Sequence, residues 1–266
     1  MYIHPKKSLG QHFLKDESIA VQIVAALCPA VVPKAYGFVD TFPVLEVGPG
    51  KGILTQFLLE RSDVDLRAVE LDREAAAYLS GRFPALCGRL VQGDFLKVDL
   101  AEIFSGAFLL IGNFPYNISS QIFFKVLDHR DTIPVVVGMV QKEVAERLVA
   151  PPGSKTYGIL SVLLQAWYHM EYLFTVPEHV FVPPPKVQSG VVRLIRNDRA
   201  ALPCSELLFK KIVKATFNQR RKAIRNSIKQ VTGGALLPDH PLLALRPEQL
   251  GVQEFIELTQ FVTQAI

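Results

Sequence analysis

Apolar positions in the first two-thirds of the chain form short β-branched runs that alternate with longer stretches of helical periodicity. The short runs predict strands over residues 44–47, 66–71, 90–92, 108–111 and 135–140. The longer stretches predict helices over residues 18–27, 53–61, 73–83, 119–127 and 142–149. Strands that alternate with helices predict an α/β fold, in which a mostly parallel sheet is covered by helices on both faces.

The pattern changes in the last third of the chain. A helical stretch at 157–168 precedes two strand-like runs at 172–176 and 190–195, which predict an antiparallel edge for the sheet. After residue 205 the remaining patterns are helical, over 205–217, 220–230 and 247–265. A composition shift near residues 197–203 predicts a domain boundary. We therefore expect an α/β domain over residues 1–200 and a small all-helical domain over residues 201–266.

The composition is that of an ordinary globular protein. Of 266 residues, 49% are apolar and 20% are charged, which argues against disorder. Apolar stretches are too short to span a membrane and the N-terminus lacks the apolar run of a secretory signal, so we expect a cytoplasmic protein without a membrane partner. The three cysteines are far apart and have no Cys or His at metal-ligand spacing, so the sequence predicts no metal site.

Positive charge is concentrated in one segment. Residues 210–229 contain eight basic residues and no acidic one, so the net charge of +4 leaves −4 for the rest of the chain. A solvated helix face is the commoner explanation of a charge run, but +8 within twenty residues favours a polyanionic partner. Four of these residues are predicted to lie on one helical stretch without an acidic neighbour: Arg220, Arg221, Lys222 and Arg225.

A glycine-rich turn, EVGPGKG at 46–52, follows the first predicted strand. Gly48 and Gly50 let the backbone turn sharply and approach a ligand, and the following helix offers free N–H groups. In the dinucleotide-binding fingerprint the third glycine comes three residues after the second, where this chain has Ile53. The spacing therefore disfavours NAD and FAD.

The next predicted strand ends carry residues suited to a nucleoside. Glu70, 22 residues after Gly48, can accept both ribose hydroxyls. Asp94 can accept from an adenine amino group, with Phe95 beside the ring. Alone, Glu70 is typical of a solvated or helix-capping carboxylate, and Asp94 is typical of an ordinary turn. Their order along successive strand ends predicts a nucleoside ligand at the carboxyl edge of the sheet.

The fourth strand end, NFPY at 113–116, suggests chemistry on an adenine amino group. N6 of adenine is a poor nucleophile because its lone pair is delocalised into the ring. The Asn113 side-chain oxygen and the Pro115 carbonyl can each accept one N6–H bond, which stabilises positive charge as it develops on the nitrogen. Tyr116 can stack on the purine. The residues thus predict methyl transfer by positioning and electrostatics, without a covalent intermediate.

In this order the motifs resemble those of the ribosomal RNA adenine N6,N6-dimethyltransferases of the bacterial small-subunit type. The resemblance covers nearly the whole chain. Beyond the segments at 46–52, Glu70, Asp94 and 113–116, it includes KSLGQHFL at 7–14, FVPPPKVQS at 181–189 and FNQRRKAIRN at 217–226.

This resemblance implies a Rossmann-like S-adenosylmethionine-dependent methyltransferase sheet with a helical C-terminal domain that binds RNA through Arg220, Arg221, Lys222 and Arg225. It implies that Phe181 stacks on the target base opposite Tyr116. The implied substrate is a pair of adjacent adenosines near the 3′ end of 16S ribosomal RNA in an immature 30S subunit, modified by a monomer that does not act on DNA. The implied cofactor contacts are His12, Leu14, Gly48, Gly50, Glu70, Leu71, Asp94, Phe95 and Asn113.

Two departures and three alternatives accompany the resemblance. The family usually has leucine where this chain has Phe114, and the stretch at 31–41 is longer than expected. A large-subunit adenine methyltransferase is disfavoured by the loop at 183–186 and the segment at 220–226. A non-catalytic ribosome-assembly factor is disfavoured by the intact motif at 113–116. A DNA adenine methyltransferase would normally carry two prolines before the tyrosine.

Overall fold

The computed structural model describes residues 5–6, 9–235 and 237–265. Lys7 and Ser8, which open the motif predicted at the N-terminus, lie outside the described residues. The chain divides into two compact units. The first holds the described residues up to Ala145 together with His169–Arg196, and the second holds Glu146–Tyr168 together with the described residues from Asn197 onward. No helix among the described residues is long and apolar enough to cross a membrane.

The described residues form a seven-stranded sheet and a separate two-stranded one. The seven strands lie in the order β4-β3-β2-β5-β6-β9-β7. β2 to β6 pair in parallel, and β9 pairs antiparallel with β6, which confirms the mostly parallel sheet with an antiparallel addition. The strands are β1 (Phe13–Leu14), β2 (Phe42–Val47), β3 (Val64–Glu70), β4 (Leu90–Gln92), β5 (Leu109–Asn113), β6 (Val135–Gln141), β7 (Tyr168–Val176), β8 (Phe181–Val182) and β9 (Ser189–Arg196).

The strand order reverses beside β2. From β2 the chain moves outward through β3 to β4, and then returns to the opposite side of β2 to form β5 and β6. β5 and β6 are almost entirely apolar and buried, as expected for parallel strands covered on both faces. Ligands of open α/β sheets bind at such a reversal, outside the carboxyl ends of the strands. The topology therefore places the ends of β2, β3, β4 and β5 around one crevice.

Helices cover the sheet of the first unit. Ile23, Leu58 and Ile111 are fully buried in one apolar cluster that joins two of these helices to the sheet. The helices are α1 (Glu17–Ala25), α2 (Ile53–Leu59), α3 (Arg73–Arg82), α4 (Leu100–Ile103), α5 (Ser119–Asp128) and α6 (Lys142–Val149), the last of which runs into the second unit.

The N-terminal segment is attached to the first unit by the two-stranded sheet. β1 pairs antiparallel with β8, so that Leu14 lies opposite Phe181. Both side chains are buried in the apolar cluster of the sheet, with exposed fractions of 4% and 1%. The pairing fixes the position at which residues 9–13 reach the carboxyl edge of the large sheet.

Phe114, the residue that departs from the resembled family, fills space above two glycines. It is fully buried, and its ring packs edge-on against Phe123 at a centroid distance of 5.9 Å. A β-carbon at Gly112 would come within 2.9 Å of this ring, and one at Gly138 within 2.5 Å. The larger aromatic side chain is thus accommodated by bare backbone on β5 and β6.

The second unit is helical in its described part. Its core includes the aromatic residues Tyr157, Phe209, Phe217 and Phe255, whose rings lie 6.0 to 6.4 Å apart between centroids. Its helices are α7 (Ile159–Gln165), α8 (Glu206–Asn218), α9 (Ile224–Ser227) and α10 (Val252–Ala265).

The division into units differs from the boundary predicted at residues 200/201. Glu146–Tyr168 belongs to the second unit although it precedes β7 in the chain. The reason is that five consecutive residues of α7, 160–164, are buried and that the helix packs against α8 and α10. A helix buried on every face needs neighbours on every face, which helices of the second unit provide.

The continuous helix predicted over 220–230 is wrong. Residues 219–222 form a turn, α9 covers four residues, and a 3-10 turn follows at Ile228–Gln230. Gln219 to Lys222 contains no apolar side chain to bury, so a helix there would gain nothing from packing. The regular conformation resumes where Ile224 and Ile228 reach the core.

Candidate active site

A pocket of about 930 Å³, part of it open to solvent, lies along the carboxyl edge of β2, β3, β4 and β5. Residues 9–13 also line it, which places the N-terminal segment at the mouth of the crevice. Of the predicted catalytic and cofactor-binding residues, the structure brings together His12, Gly48, Gly50, Glu70, Leu71, Asp94, Phe95, Asn113, Pro115 and Tyr116.

The glycine turn after β2 approaches the pocket with its backbone. Gly48 and Gly50 have φ angles of 65° and 59°, in the left-handed region that favours glycine. A β-carbon at Gly50 would lie 2.8 Å from the Phe13 ring, so the N-terminal segment packs directly on the turn. The Gly50 N–H donates to a carboxylate oxygen of Glu70 at 2.9 Å. The ends of β2 and β3 are thereby locked together.

Glu70 is a rigidly held acceptor at the end of β3. One carboxylate oxygen accepts from Gly50 N–H and the other from Asp72 N–H, at 2.9 and 2.8 Å. Burial raises the pKa of Glu70 and these backbone donors oppose the rise. Each oxygen keeps a further lone pair, which suits two adjacent hydroxyl groups such as those of a ribose.

Asp72 was missed by the sequence analysis, although it holds the N-terminal segment at the pocket. Its carboxylate accepts from Lys6 Nζ at 2.7 Å and from Gln11 Nε2 at 3.3 Å, and it also caps α3. Burial opposes its ionisation, but these donors together lower the pKa of Asp72. Its place directly before α3 marks it as a helix cap, whereas the long-range contact with Lys6 leaves no local pattern.

The loop after β4 presents Asp94 and Phe95 to the pocket. Asp94 Oδ1 accepts from Leu96 N–H at 3.0 Å, and Phe95 is 4% exposed. Lys125 of α5 holds the loop in place, because its Nζ donates to the carbonyls of Phe95 at 2.6 Å and Val98 at 2.5 Å. Its ammonium also lies 5.0 Å from the centre of the Phe95 ring. Sequence reasoning missed Lys125 because these partners lie 27 and 30 residues away.

Asn113 is oriented by the N-terminal segment. Its Nδ2 donates to the backbone carbonyl of His12 at 3.0 Å. Because a carbonyl only accepts, the amide nitrogen faces His12 and Oδ1 remains an acceptor for a ligand in the pocket. The nearby Pro115 carbonyl accepts from Ile118 N–H at 3.2 Å and keeps a second lone pair. Two acceptors are thus available near the end of β5.

Tyr116 is tied to two distant segments. Its hydroxyl and the Ser189 hydroxyl are 2.6 Å apart, and its ring stacks on that of His12 with centroids 5.4 Å apart. Burial raises the pKa of the Tyr116 hydroxyl, opposed by the Ser189 hydrogen bond. The phenol therefore stays protonated near neutral pH and offers a ring surface, not a base.

Glu46, below the glycine turn, is an ionisable residue that the sequence analysis treated only as the start of a motif. It is 1% exposed and accepts from Thr55 Oγ1 at 2.6 Å. Burial raises its pKa to about 8, a rise that the Thr55 hydroxyl opposes. It lines a smaller pocket that shares Gly48, Gly50 and Asn113 with the main one.

Two predicted site residues do not lie where the resemblance implied. Phe181 is 1% exposed, packs in the apolar cluster of the sheet and does not line the pocket. In this arrangement its ring offers no face to a base, and the stacking role stays a prediction. Leu14, paired with Phe181, is likewise buried and reaches only the smaller pocket beside Glu46.

The predicted RNA-binding residues lie in the second unit. Arg221, Lys222 and Arg225 are exposed. Arg220 is half-buried instead, donating to the Ser154 carbonyl at 3.1 Å and lying 3.9 Å from the carboxylate of Glu248. Glu248 lies outside the charged segment, so Arg220 has an acidic neighbour although the segment itself contains none. Its partners come from segments that are distant in sequence, so the charge run could not reveal them.

Comparisons with known proteins agree on one family. A sequence model described as Ribosomal RNA adenine dimethylase matches residues 3–239. Proteins called Ribosomal RNA small subunit methyltransferase A are similar over nearly the full length. The one from Parabacteroides distasonis is 59% identical over 97% of this chain and 93% of its own, and the one from Phocaeicola vulgatus is 56% identical over 99% and 91%.

Solved structures extend the similarity to the fold. A dimethyladenosine transferase from Plasmodium falciparum aligns with a TM-score of 0.75 at 23% identity, covering 96% of this chain and 98% of that one. The 23S rRNA methyltransferase ErmE aligns with a TM-score of 0.64 at 25% identity, covering 93% and 99%. The sheet with its helical C-terminal part is thus the fold of these transferases.

Proposed function

The chain belongs to the ribosomal RNA adenine dimethylase family, and from this premise we propose how it acts: it transfers methyl groups from S-adenosylmethionine to N6 of two adjacent adenosines near the 3′ end of 16S ribosomal RNA. Each adenosine becomes N6,N6-dimethyladenosine. The observation that carries the proposal is the orientation of Asn113, whose amide nitrogen is taken by the His12 carbonyl so that its oxygen is left for a base.

The pocket fits the cofactor of this reaction. Glu70, with both oxygens anchored by backbone donors, is suited to the ribose hydroxyls. Leu71 is 49% exposed and lines the pocket with Phe95, so a purine ring would cover apolar surface there. Asp94 can accept from the adenine amino group. When bound, S-adenosylmethionine supplies a methyl group on a positively charged sulfur.

The residues around Asn113 then act on the target base. In the first transfer Asn113 Oδ1 and the Pro115 carbonyl would accept the two N6–H bonds, which leaves the nitrogen lone pair free to attack the methyl carbon as the carbon–sulfur bond breaks. The nitrogen then loses one proton to solvent. In the second transfer one N6–H bond remains, and one of the two oxygens would accept it. The same two acceptors stabilise positive charge as it develops on N6. Tyr116 offers its ring to the base. N6 must leave any base pair to reach Asn113, so the target adenosine is read outside a duplex.

The alternatives fit less well. Relatives of more than 50% identity carry a small-subunit name, whereas the large-subunit enzyme ErmE is 25% identical. A non-catalytic assembly factor has no need of the bond that orients Asn113. The acceptor pair at the end of β5 therefore favours an enzyme.

We assign RNA binding to the second unit. Arg221, Lys222 and Arg225 present exposed positive charge on a turn and a short helix, where phosphates of ribosomal RNA can approach. The particle that we propose as substrate is an immature 30S subunit, bound by a monomer in the cytoplasm. Arg220 is left out of this surface because its side chain is engaged within the unit.

Asn113→Ala tests the reaction. Loss of an acceptor that acts mainly as charge develops should lower the single-turnover rate about 10²–10³-fold at saturating cofactor, while most RNA affinity remains. The assay follows dimethyladenosine by mass spectrometry in 30S particles from a strain that lacks the enzyme. Gln22→Ala, at an exposed amide on α1 that does not line the pocket, is the matched control. A near-normal rate for Asn113→Ala would refute its role.

Arg221→Ala with Lys222→Ala tests the surface. Each lost phosphate contact should lower the slope of log affinity against log salt by about one, so the double variant should bind 30S particles more weakly and with a flatter salt dependence. Cofactor affinity should not change, because the pocket lies in the first unit. Lys34→Ala, exposed in the first unit, controls for charge alone. An unchanged slope in the double variant would mean that this surface does not face RNA.

A further inference from the structure

The loop at 183–189 is bound to the active site at both of its ends. At one end the Pro183 carbonyl lies 2.8 Å from His12 Nδ1. At the other end the Ser189 hydroxyl lies 2.6 Å from the Tyr116 hydroxyl. The resemblance attributed the contribution of this region to Phe181, which is buried in the core. The polar contacts indicate a different contribution.

Ser189 is held firmly enough to act as an anchor. It is the first residue of β9, lies opposite Gln141 of β6 and is fully buried. Its backbone is thus held by pairing with β6, and burial restricts its hydroxyl. Tyr116, in contrast, follows β5 on a loop and is only partly buried. Without a partner for its hydroxyl, the ring would be restrained only by its packing, which includes the stack on His12.

His12 holds the same ring from its face. Its imidazole stacks on Tyr116 at an interplanar angle of 28°. Because the Pro183 carbonyl only accepts, His12 Nδ1 carries a hydrogen and the ring orientation is set by that bond. The backbone carbonyl of the same residue orients Asn113. The stacking ring and the acceptor of the base are therefore positioned by one connected set of contacts.

We propose that Ser189 is a positioning residue of the methyl-transfer site, which fixes the Tyr116 ring, through its hydroxyl, at the angle at which a base can stack on it and present N6 to Asn113. This inference rests on the proposed function. Holding the ring before the base arrives lowers the entropic cost of reaching the reactive geometry, and misplacement by a fraction of an ångström is enough to slow a reaction that depends on positioning.

A double-mutant cycle tests the proposal. Ser189→Ala and Tyr116→Phe each remove one partner of the hydrogen bond and keep the stacking ring. Each should lower the single-turnover methyl-transfer rate about tenfold, the scale of one lost hydrogen bond between side chains. The double variant should be no slower than either single one, because the same contact is lost. Affinity for S-adenosylmethionine, measured by calorimetry, should stay that of the wild type.

Ser119→Ala is the matched control. This serine is also buried, but its hydroxyl donates to the backbone carbonyl of Tyr116 at 3.2 Å and not to the phenol. Whatever loss of methyl-transfer rate Ser119→Ala causes, this loss should add in full to the loss caused by Tyr116→Phe. If Ser189→Ala misfolds, Tyr116→Phe alone still tests the proposal, because it removes the phenol hydroxyl and so the same hydrogen bond.

Three results would overturn the inference. They are a wild-type rate in Ser189→Ala, a wild-type rate in Tyr116→Phe, and losses that add in the double variant. A wild-type protein that leaves 30S particles unmethylated would instead refute the proposed function, on which the inference depends. If the wild-type protein is active but the losses of the two single variants add, the role of Ser189 is refuted and the proposed function is not.

Discussion

Glu46→Gln should make the protein more stable at neutral pH. The carboxyl is 1% exposed, and burial raises its pKa from the ordinary 4.5 to about 8. In the unfolded chain the group ionises above about 4.5, whereas in the folded protein it stays protonated up to about 8. The folded state therefore binds more protons across this interval, and its stability falls as pH rises. Glutamine keeps the shape and an oxygen for the Thr55 hydroxyl, and it does not titrate.

The size of the effect follows from the interval. Each pH unit between the two pKa values is worth about 1.4 kcal/mol, so at pH 7 the wild type should have lost on the order of 3 kcal/mol relative to the variant. The difference should be absent below about pH 4.5, grow as pH rises, and level off above about pH 8, where the folded group ionises as well. Other titrating groups cancel in the difference between the two proteins.

Urea unfolding at half-unit steps from pH 4.5 to 8.5 measures this difference directly. Glu60→Gln, at an exposed carboxylate at the end of α2, should follow the wild type at every pH. Parallel curves for Glu46→Gln and wild type would show that Glu46 is ionised in the folded protein. That outcome would refute the reasoning from burial.

Three further predictions concern contacts described above. Glu70→Gln leaves one of two buried backbone N–H groups, of Gly50 or Asp72, without an acceptor. The free energy of unfolding should therefore fall by about 1–3 kcal/mol, and the affinity for the cofactor should fall as well. Unchanged urea unfolding would contradict this prediction. Lys125→Met removes the donor to the carbonyls of Phe95 and Val98, so it should weaken S-adenosylmethionine binding about tenfold in calorimetry with kcat at saturation unchanged. Lys34→Met, at an exposed lysine that does not line the pocket, should leave the affinity unchanged, and equal losses would mean that only the net charge of the protein matters. Arg220→Ala removes the contacts with Ser154 and Glu248, so it should lower the thermal midpoint of unfolding but leave the salt slope of particle binding unchanged. A slope reduced as much as in Arg221→Ala would show that Arg220 also contacts RNA.

Sequence reasoning succeeded where a function depends on residues at the ends of strands. Alternating apolar runs locate the strands, and parallel strands bring their carboxyl ends to one edge, so Glu70, Asp94 and Asn113 are brought together by topology alone. The same reasoning gave the helices around the sheet to within a few residues. Prediction from sequence is strongest where the local pattern and the tertiary environment of a segment favour the same conformation.

It failed where a contact joins distant segments. Ser189 reaches Tyr116 across 73 residues, and nothing in the proline-rich loop around it distinguishes an anchor from a turn. Phe181 shows a second difficulty, because an aromatic residue in a functional motif can equally be a core residue, and here its side chain is 1% exposed. The charge run at 220–225 gave no indication of the turn or of the internal contact of Arg220, because the charge of a side chain does not determine which partner it faces.

The packing of Phe114 over bare backbone makes the order of evolutionary change matter. With phenylalanine at this position, a β-carbon at Gly138 would lie 2.5 Å from the ring, so the ring commits β6 to glycine at this position. Gly112 is required in any case, because its β-carbon would lie 2.6 Å from the Val47 carbonyl. Once β6 has acquired a methyl group at position 138, phenylalanine at position 114 is excluded until that methyl group is lost again. The residues at 114 and 138 must therefore be inherited as a pair, and the same single exchange would be disruptive in one background and harmless in another.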